Sequence, residues 1–66
     1  MKVTYDREAD AMYIKLTEEK FSKVNIIDKN TILNLDKDGN VIGIELLFVS
    51  KRFHNKIPTS FVVENL

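Results

Sequence analysis

Apolar and polar positions alternate along most of this chain, the signature of half-buried strands. In KVTY, Val3 and Tyr5 share one face. In AMYIKL, Met12, Ile14 and Leu16 share one face, and Ala11, Tyr13 and Lys15 share the other. Between these runs lies DREAD, residues 6–10, whose flanking aspartates favour a turn through side-chain to backbone hydrogen bonds. The two runs therefore predict a first hairpin. TEEKFSK is polar apart from Phe21 and reads as a loop. KVNIID predicts a third, less regular strand, with Val24 and Ile26 on one side and Ile27 on the other. Asp28, Lys29 and Asn30 mark the next turn, and TILNLD places Thr31, Leu33 and Leu35 together on a fourth strand.

DKDGNVIGIEL is the most legible segment. Asp38-Gly39 between two alternating runs signals a hairpin, because Gly39 supplies the positive φ such a turn requires. Beyond it, Ile42, Ile44 and Leu46 line one face of a fifth strand, with Gly43 and Glu45 opposite. Gly43 leaves room there for a bulge or a close neighbour. In the last third, Ser50 is placed to cap a short helix over KRFHNKI, with Phe53 and Ile57 four apart on one face and Pro58 as its stop. SFVV, residues 60–63, has strand propensity, and reads either as a last edge strand or as a tail that pairs with another chain. The expected fold is α+β: a small, mostly antiparallel sheet of about five strands with one short C-terminal helix on its apolar face.

Sixty-six residues form one domain, 1–66, with a thin stability margin, since a chain of this size buries only about 60 % of its unfolded surface. No cysteine is present, which removes disulfides, thiolate ligands and a thiol nucleophile. Good packing or self-association must stabilise so small a core, so a homo-oligomer is expected. Ten basic and ten acidic residues balance. That weighs against nucleic acid as the main partner, because phosphate binding is driven by a basic excess. The first ten residues hold no apolar run typical of a signal peptide, and LLFV is too short to cross a bilayer. A cytoplasmic, membrane-free protein is the expectation.

Four groups of residues invite a chemical reading. Asp6, Glu8 and Asp10 could converge on a hard cation, yet a five-residue bend aims too few oxygens inward, and turn capping accounts for them. DKDGN, residues 36–40, suggests a calcium loop, but its glycine and Glu45 stand at the wrong spacing. His54 lies among Lys51, Arg52 and Lys56 with no nucleophile elbow nearby, which predicts a solvated helix face or a small anion or nucleic-acid patch rather than catalysis. The six aromatics, Tyr5, Tyr13, Phe21, Phe48, Phe53 and Phe61, are assigned to core packing, with Tyr13 the one left to solvent. No catalytic residue, metal ligand or cofactor site is assigned.

YDREADAMYIKL and LNLDKDGNVIGIELL together resemble the paired signatures of the small bacterial and archaeal family catalogued as domain of unknown function 2283. Tyr5, Asp6, Asp10, Tyr13, Ile14 and Leu16 match the first motif. Leu35, Asp36, Asp38, Gly39, Ile42, Gly43, Ile44, Glu45 and Leu47 match the second. The resemblance covers residues 1–52, with 53–66 as a variable tail. The chain departs where the family has an aspartate before its helix, since Phe48 stands there. No activity is carried by the resemblance. Genes of the family stand beside those of a small RelE-like toxin family, which implies an antitoxin-like role.

These readings converge on a non-catalytic protein-interaction module. Its expected contact modes are strand addition at an open sheet edge and docking of the apolar tail through Phe61, Val62 and Val63. The alternative is a weak nucleic-acid or anion-binding protein that uses Lys51, Arg52, His54 and Lys56.

Overall fold

The computed structural model describes residues 1–65. Five strands, β1 (Lys2–Asp6), β2 (Ala11–Lys15), β3 (Lys23–Asp28), β4 (Thr31–Leu35) and β5 (Val41–Leu46), precede a single-turn helix, α1 (Val49–Arg52). They form one sheet in the order β1-β2-β5-β4-β3, with every neighbouring pair antiparallel. The α+β expectation and all five strands are thus met. The order comes from two local units, the β1–β2 hairpin and the β3–β4–β5 meander, joined where β2 pairs with β5. Residues 16–22 carry the chain across the end of the sheet. The amide of Leu16 donates to the Ile42 carbonyl, and that of Ser22 donates to the Leu35 carbonyl.

Register places Val3 opposite Ile14, Tyr5 opposite Met12, Met12 opposite Leu46 and Ile14 opposite Ile44. Leu33 extends this apolar row from the other side of Ile44. Alternation therefore builds one continuous apolar face, as period two requires. Its buried apolar centre is small: Met12, Ile42 and Val49, the last fully enclosed. The aromatic residues are not that centre, contrary to the sequence reading. Phe21, Phe48, Phe53 and Phe61 are exposed, because each sits in a loop or beside the helix rather than on an inward strand position.

The turn between β4 and β5 follows its sequence chemistry. Asp36 is largely buried, and one carboxylate oxygen accepts the amides of Asp38 and Asn40, both at 2.9 Å. The Asn40 side chain reaches the other oxygen at 3.3 Å. The Gly39 amide donates to the Asp36 carbonyl, and Gly39 takes φ 86. This is a three-residue hairpin loop, 37–39, with glycine in the left-handed position. A separate irregularity shifts the register of β4 against β5 between Asn34 and Leu35, within the strands. Accepting these amides holds the Asp36 carboxyl below its ordinary range.

The helix differs from expectation. It covers Val49–Arg52, not 51–57, and Ser50 lies inside it rather than at its cap. Phe48 occupies the cap position in the left-handed conformation, φ 52, and its side chain caps nothing. The helix also ends before Pro58 acts: His54 and Asn55 both take positive φ, which turns the chain away. Phe53 and Ile57 are therefore not partners on one helical face. No last strand forms over 60–63, which is irregular.

Candidate functional site

DREAD divides its carboxylates between two jobs. Asp6 caps its own turn, accepting the amides of Glu8 at 3.0 Å and Ala9 at 3.2 Å. Asp10 does something the sequence did not reveal. It takes the left-handed conformation, φ 52, and points across to the helix instead of back along its turn. Its carboxylate accepts the Tyr5 hydroxyl at 2.6 Å, the Ser50 hydroxyl at 2.7 Å and the Ser50 amide at 3.1 Å. Its carbonyl accepts the Val49 amide at 3.0 Å. Asp10 thus satisfies the helix amides that Phe48 leaves unpaired, as a capping residue supplied from a distant turn. The Tyr5 bond, followed by that from Ser50, lowers the Asp10 carboxyl from its usual value. The same bond raises the Tyr5 hydroxyl.

Tyr5, Asp10 and Ser50 are joined by hydrogen bonds, as hydroxyl and carboxylate groups of a catalytic set would be. Both hydroxyls donate to one carboxylate, and these bonds depress its proton affinity. The trio is a structural clamp. Among the described residues, no three His, Asp or Glu side chains stand together as a metal would require.

The basic segment is not one helix face. Only Lys51 and Arg52 are helical; His54, in the left-handed region, and Lys56 follow in the turn and the tail. Lys51 donates to the Asn55 side chain at 3.3 Å. Arg52 reaches the β3–β4 turn, where its guanidinium donates to the Asn30 carbonyl at 3.0 Å and to the Thr31 hydroxyl, and lies 3.8 Å from Asp28. One of the four residues of the predicted patch, Arg52, is therefore engaged in tying the helix to the sheet.

Tyr13 is half-buried rather than solvent-exposed, and Gly43 explains why. A Cβ at position 43 would collide with the Tyr13 ring, so the phenol lies directly over the glycine on the next strand. The close neighbour anticipated at Gly43 is this ring.

The tail meets the apolar face. Val3, Met12, Ile14 and Leu46 of the sheet face Phe53 and Phe61 across a groove of about 270 Å³. Val62 and Val63 beyond it are open to solvent. Phe61 is thus placed at the sheet, while the two valines are not. A signal for this existed in the alternation of apolar residues in β1 and β2, but which segment would lie over them was not readable.

The family model described as "Protein of unknown function (DUF2283)" matches residues 2–50, most of the chain, and the chain belongs to that family. The match takes in the β1–β2 turn, all five strands and Ser50, and stops before the tail. No curated protein and no solved structure matches the chain.

Proposed function

We propose, for this member of a family without an assigned activity, a non-catalytic protein-interaction module acting in the cytoplasm. The observation that carries the reading is the tail: Phe61, Val62 and Val63 are 65 %, 82 % and 76 % exposed, and Phe61 lines an apolar groove on the sheet. Aliphatic and aromatic side chains held in water gain about 25 cal/mol per Å² when a partner covers them. The hydrogen-bonded trio at Asp10 supports the non-catalytic part, since its groups are mutually satisfied.

The partner suggested by the resemblance is a small toxin encoded beside this gene, with the present chain as its antitoxin-like counterpart. Co-expression of the full chain with the product of the neighbouring small gene, followed by size-exclusion chromatography, tests this. A co-eluting complex that is lost on combining Phe61→Ser, Val62→Ser and Val63→Ser is the expected result. Independent elution of the two proteins overturns the toxin reading.

Nucleic-acid or anion binding by Lys51, Arg52, His54 and Lys56 has weaker support. Arg52 is committed to the β3–β4 turn, which leaves three basic groups for phosphate contact. Binding to RNA or DNA that survives physiological ionic strength would favour it; binding confined to low salt marks incidental contact.

A further inference from the structure

Every residue of β3 is exposed, although Val24, Ile26 and Ile27 are aliphatic, at 51 %, 65 % and 57 % exposure. The strand is an outer edge of the sheet, paired only with β4. An edge presents unpaired backbone amides and carbonyls, and an apolar edge is a ready template for another strand. Natural sheets usually defend such edges with inward-pointing charges, prolines or bulges. Here the centre of the strand carries no charge, and the one irregularity, between Ile26 and Asp28, lies at its far end.

The charges of β3 sit only at its two ends, Lys23 at the first residue and Asp28 at the last. Parallel pairing of two such strands would set like charge beside like. Antiparallel pairing brings the cation of each near the anion of the other, one residue from direct opposition when the axis lies at Asn25. The Asp28 side chain, though 3.8 Å from Arg52, remains 60 % exposed and open to a second cation. Register narrows the arrangement further. Val24 and Ile26 lie two apart and share the face on which Ile26 meets Ile32, while Asn25 opposes Leu33 on the other. A two-fold axis perpendicular to the sheet keeps each face on its own side. With that axis at Asn25, Val24 of each copy stands opposite Ile26 of the other, and the row Ile32, Ile26 and the second copy's Val24 becomes continuous.

From this self-complementarity we infer that the protein forms a two-fold dimer by antiparallel pairing of β3 with β3 of a second copy, centred on Asn25. The two five-stranded sheets then run on as one. The occupant is a second copy because this strand is its own complement, in charge at the ends and in apolar residues between. The other edge is a poorer surface: β1 offers one aliphatic residue, Val3, which is 37 % exposed and already faces the tail across the groove. This contact is separate from the tail, so toxin binding and dimerisation can fail independently.

Sedimentation equilibrium of the full chain over a range of concentrations tests the inference. The expected result is a concentration-dependent rise from 7.7 kDa to twice that mass. V24K and I26E, each alone, should raise the dimer dissociation constant at least tenfold while the far-ultraviolet circular dichroism stays that of the parent. The double variant V24K/I26E should dimerise more tightly than either single variant, because the register sets each introduced cation opposite the other copy's introduced carboxylate. A parent chain that stays at 7.7 kDa throughout overturns the inference. Single variants that dimerise like the parent, or a double variant no better than the singles, overturn it as well.

Discussion

Ser50 follows Asp10 by 40 residues, yet both its amide and its hydroxyl donate to the Asp10 carboxylate, at 3.1 and 2.7 Å. The turn between the first two strands therefore caps the helix that follows the fifth. This one contact joins the β1–β2 hairpin to the end of the β3–β4–β5 meander, and Tyr5 steadies it from the strand below.

If Asp10 is the remote cap, Asp10→Ala and Ser50→Ala should each lower the melting temperature, and together they should cost less than the sum of the two. A double-mutant cycle from chemical denaturation measures the coupling. Hydrogen exchange at Val49 and Ser50 should quicken in both single variants, while the strand amides of β4 keep their protection.

The depressed carboxyls of Asp10 and Asp36 fix the direction of pH dependence. A carboxyl whose folded pKa lies below its unfolded value, about 3.9 for aspartate, adds stability above that value. The contribution is lost as pH falls through the folded pKa. Stability should therefore be insensitive to these groups from pH 7 to about pH 5, and should drop below about pH 4. Asp10→Asn should be less stable at neutral pH and should show a shallower acid limb in urea denaturation followed from pH 7 to pH 2.

Gly43→Ala should destabilise the protein by about 1–3 kcal/mol, the usual cost of forcing atoms into a filled space. The loss should shrink in a Tyr13→Ala background, because the Tyr13 ring is the group the new methyl meets. Thermal denaturation of the two single variants and the double variant checks this.

Phe48 holds the left-handed conformation, φ 52, without glycine's freedom, and its ring is exposed. An L-residue there is strained by roughly 1–2 kcal/mol. Phe48→Gly should relieve that strain and stabilise the fold by about 0.5–1 kcal/mol after glycine's added chain entropy is offset. A rise in urea midpoint with an unchanged m-value is the expected signature.

Core truncation ranks the buried residues. Met12→Ala should cost about 2–5 kcal/mol, since Met12 stands between Tyr5 and Leu46 in the middle of the apolar face. In a domain this small such a loss is a large share of total stability. Partial unfolding at 37 °C by circular dichroism is the expected outcome.

The sequence by itself determined the strands and the two best-formed turns. Alternation of side chains in KVTY, AMYIKL, TILNLD and VIGIEL is a local property, because each residue's face follows from its neighbour's. The loop at Asp36–Asn40 is equally local, as one carboxylate organises amides two and four residues on. Tertiary structure alone decided the pairing of β2 with β5, the Asp10–Ser50 bond, the Tyr13 ring over Gly43 and the position of Phe61 across the groove from Val3. It also decided that the helix begins at Val49, where an aspartate from another turn outweighs the preference of Ser50 for a cap. Each of these is a contact between residues far apart in sequence. Closing such a contact costs chain entropy that only the assembled sheet offsets, and no local pattern records which partner will be met.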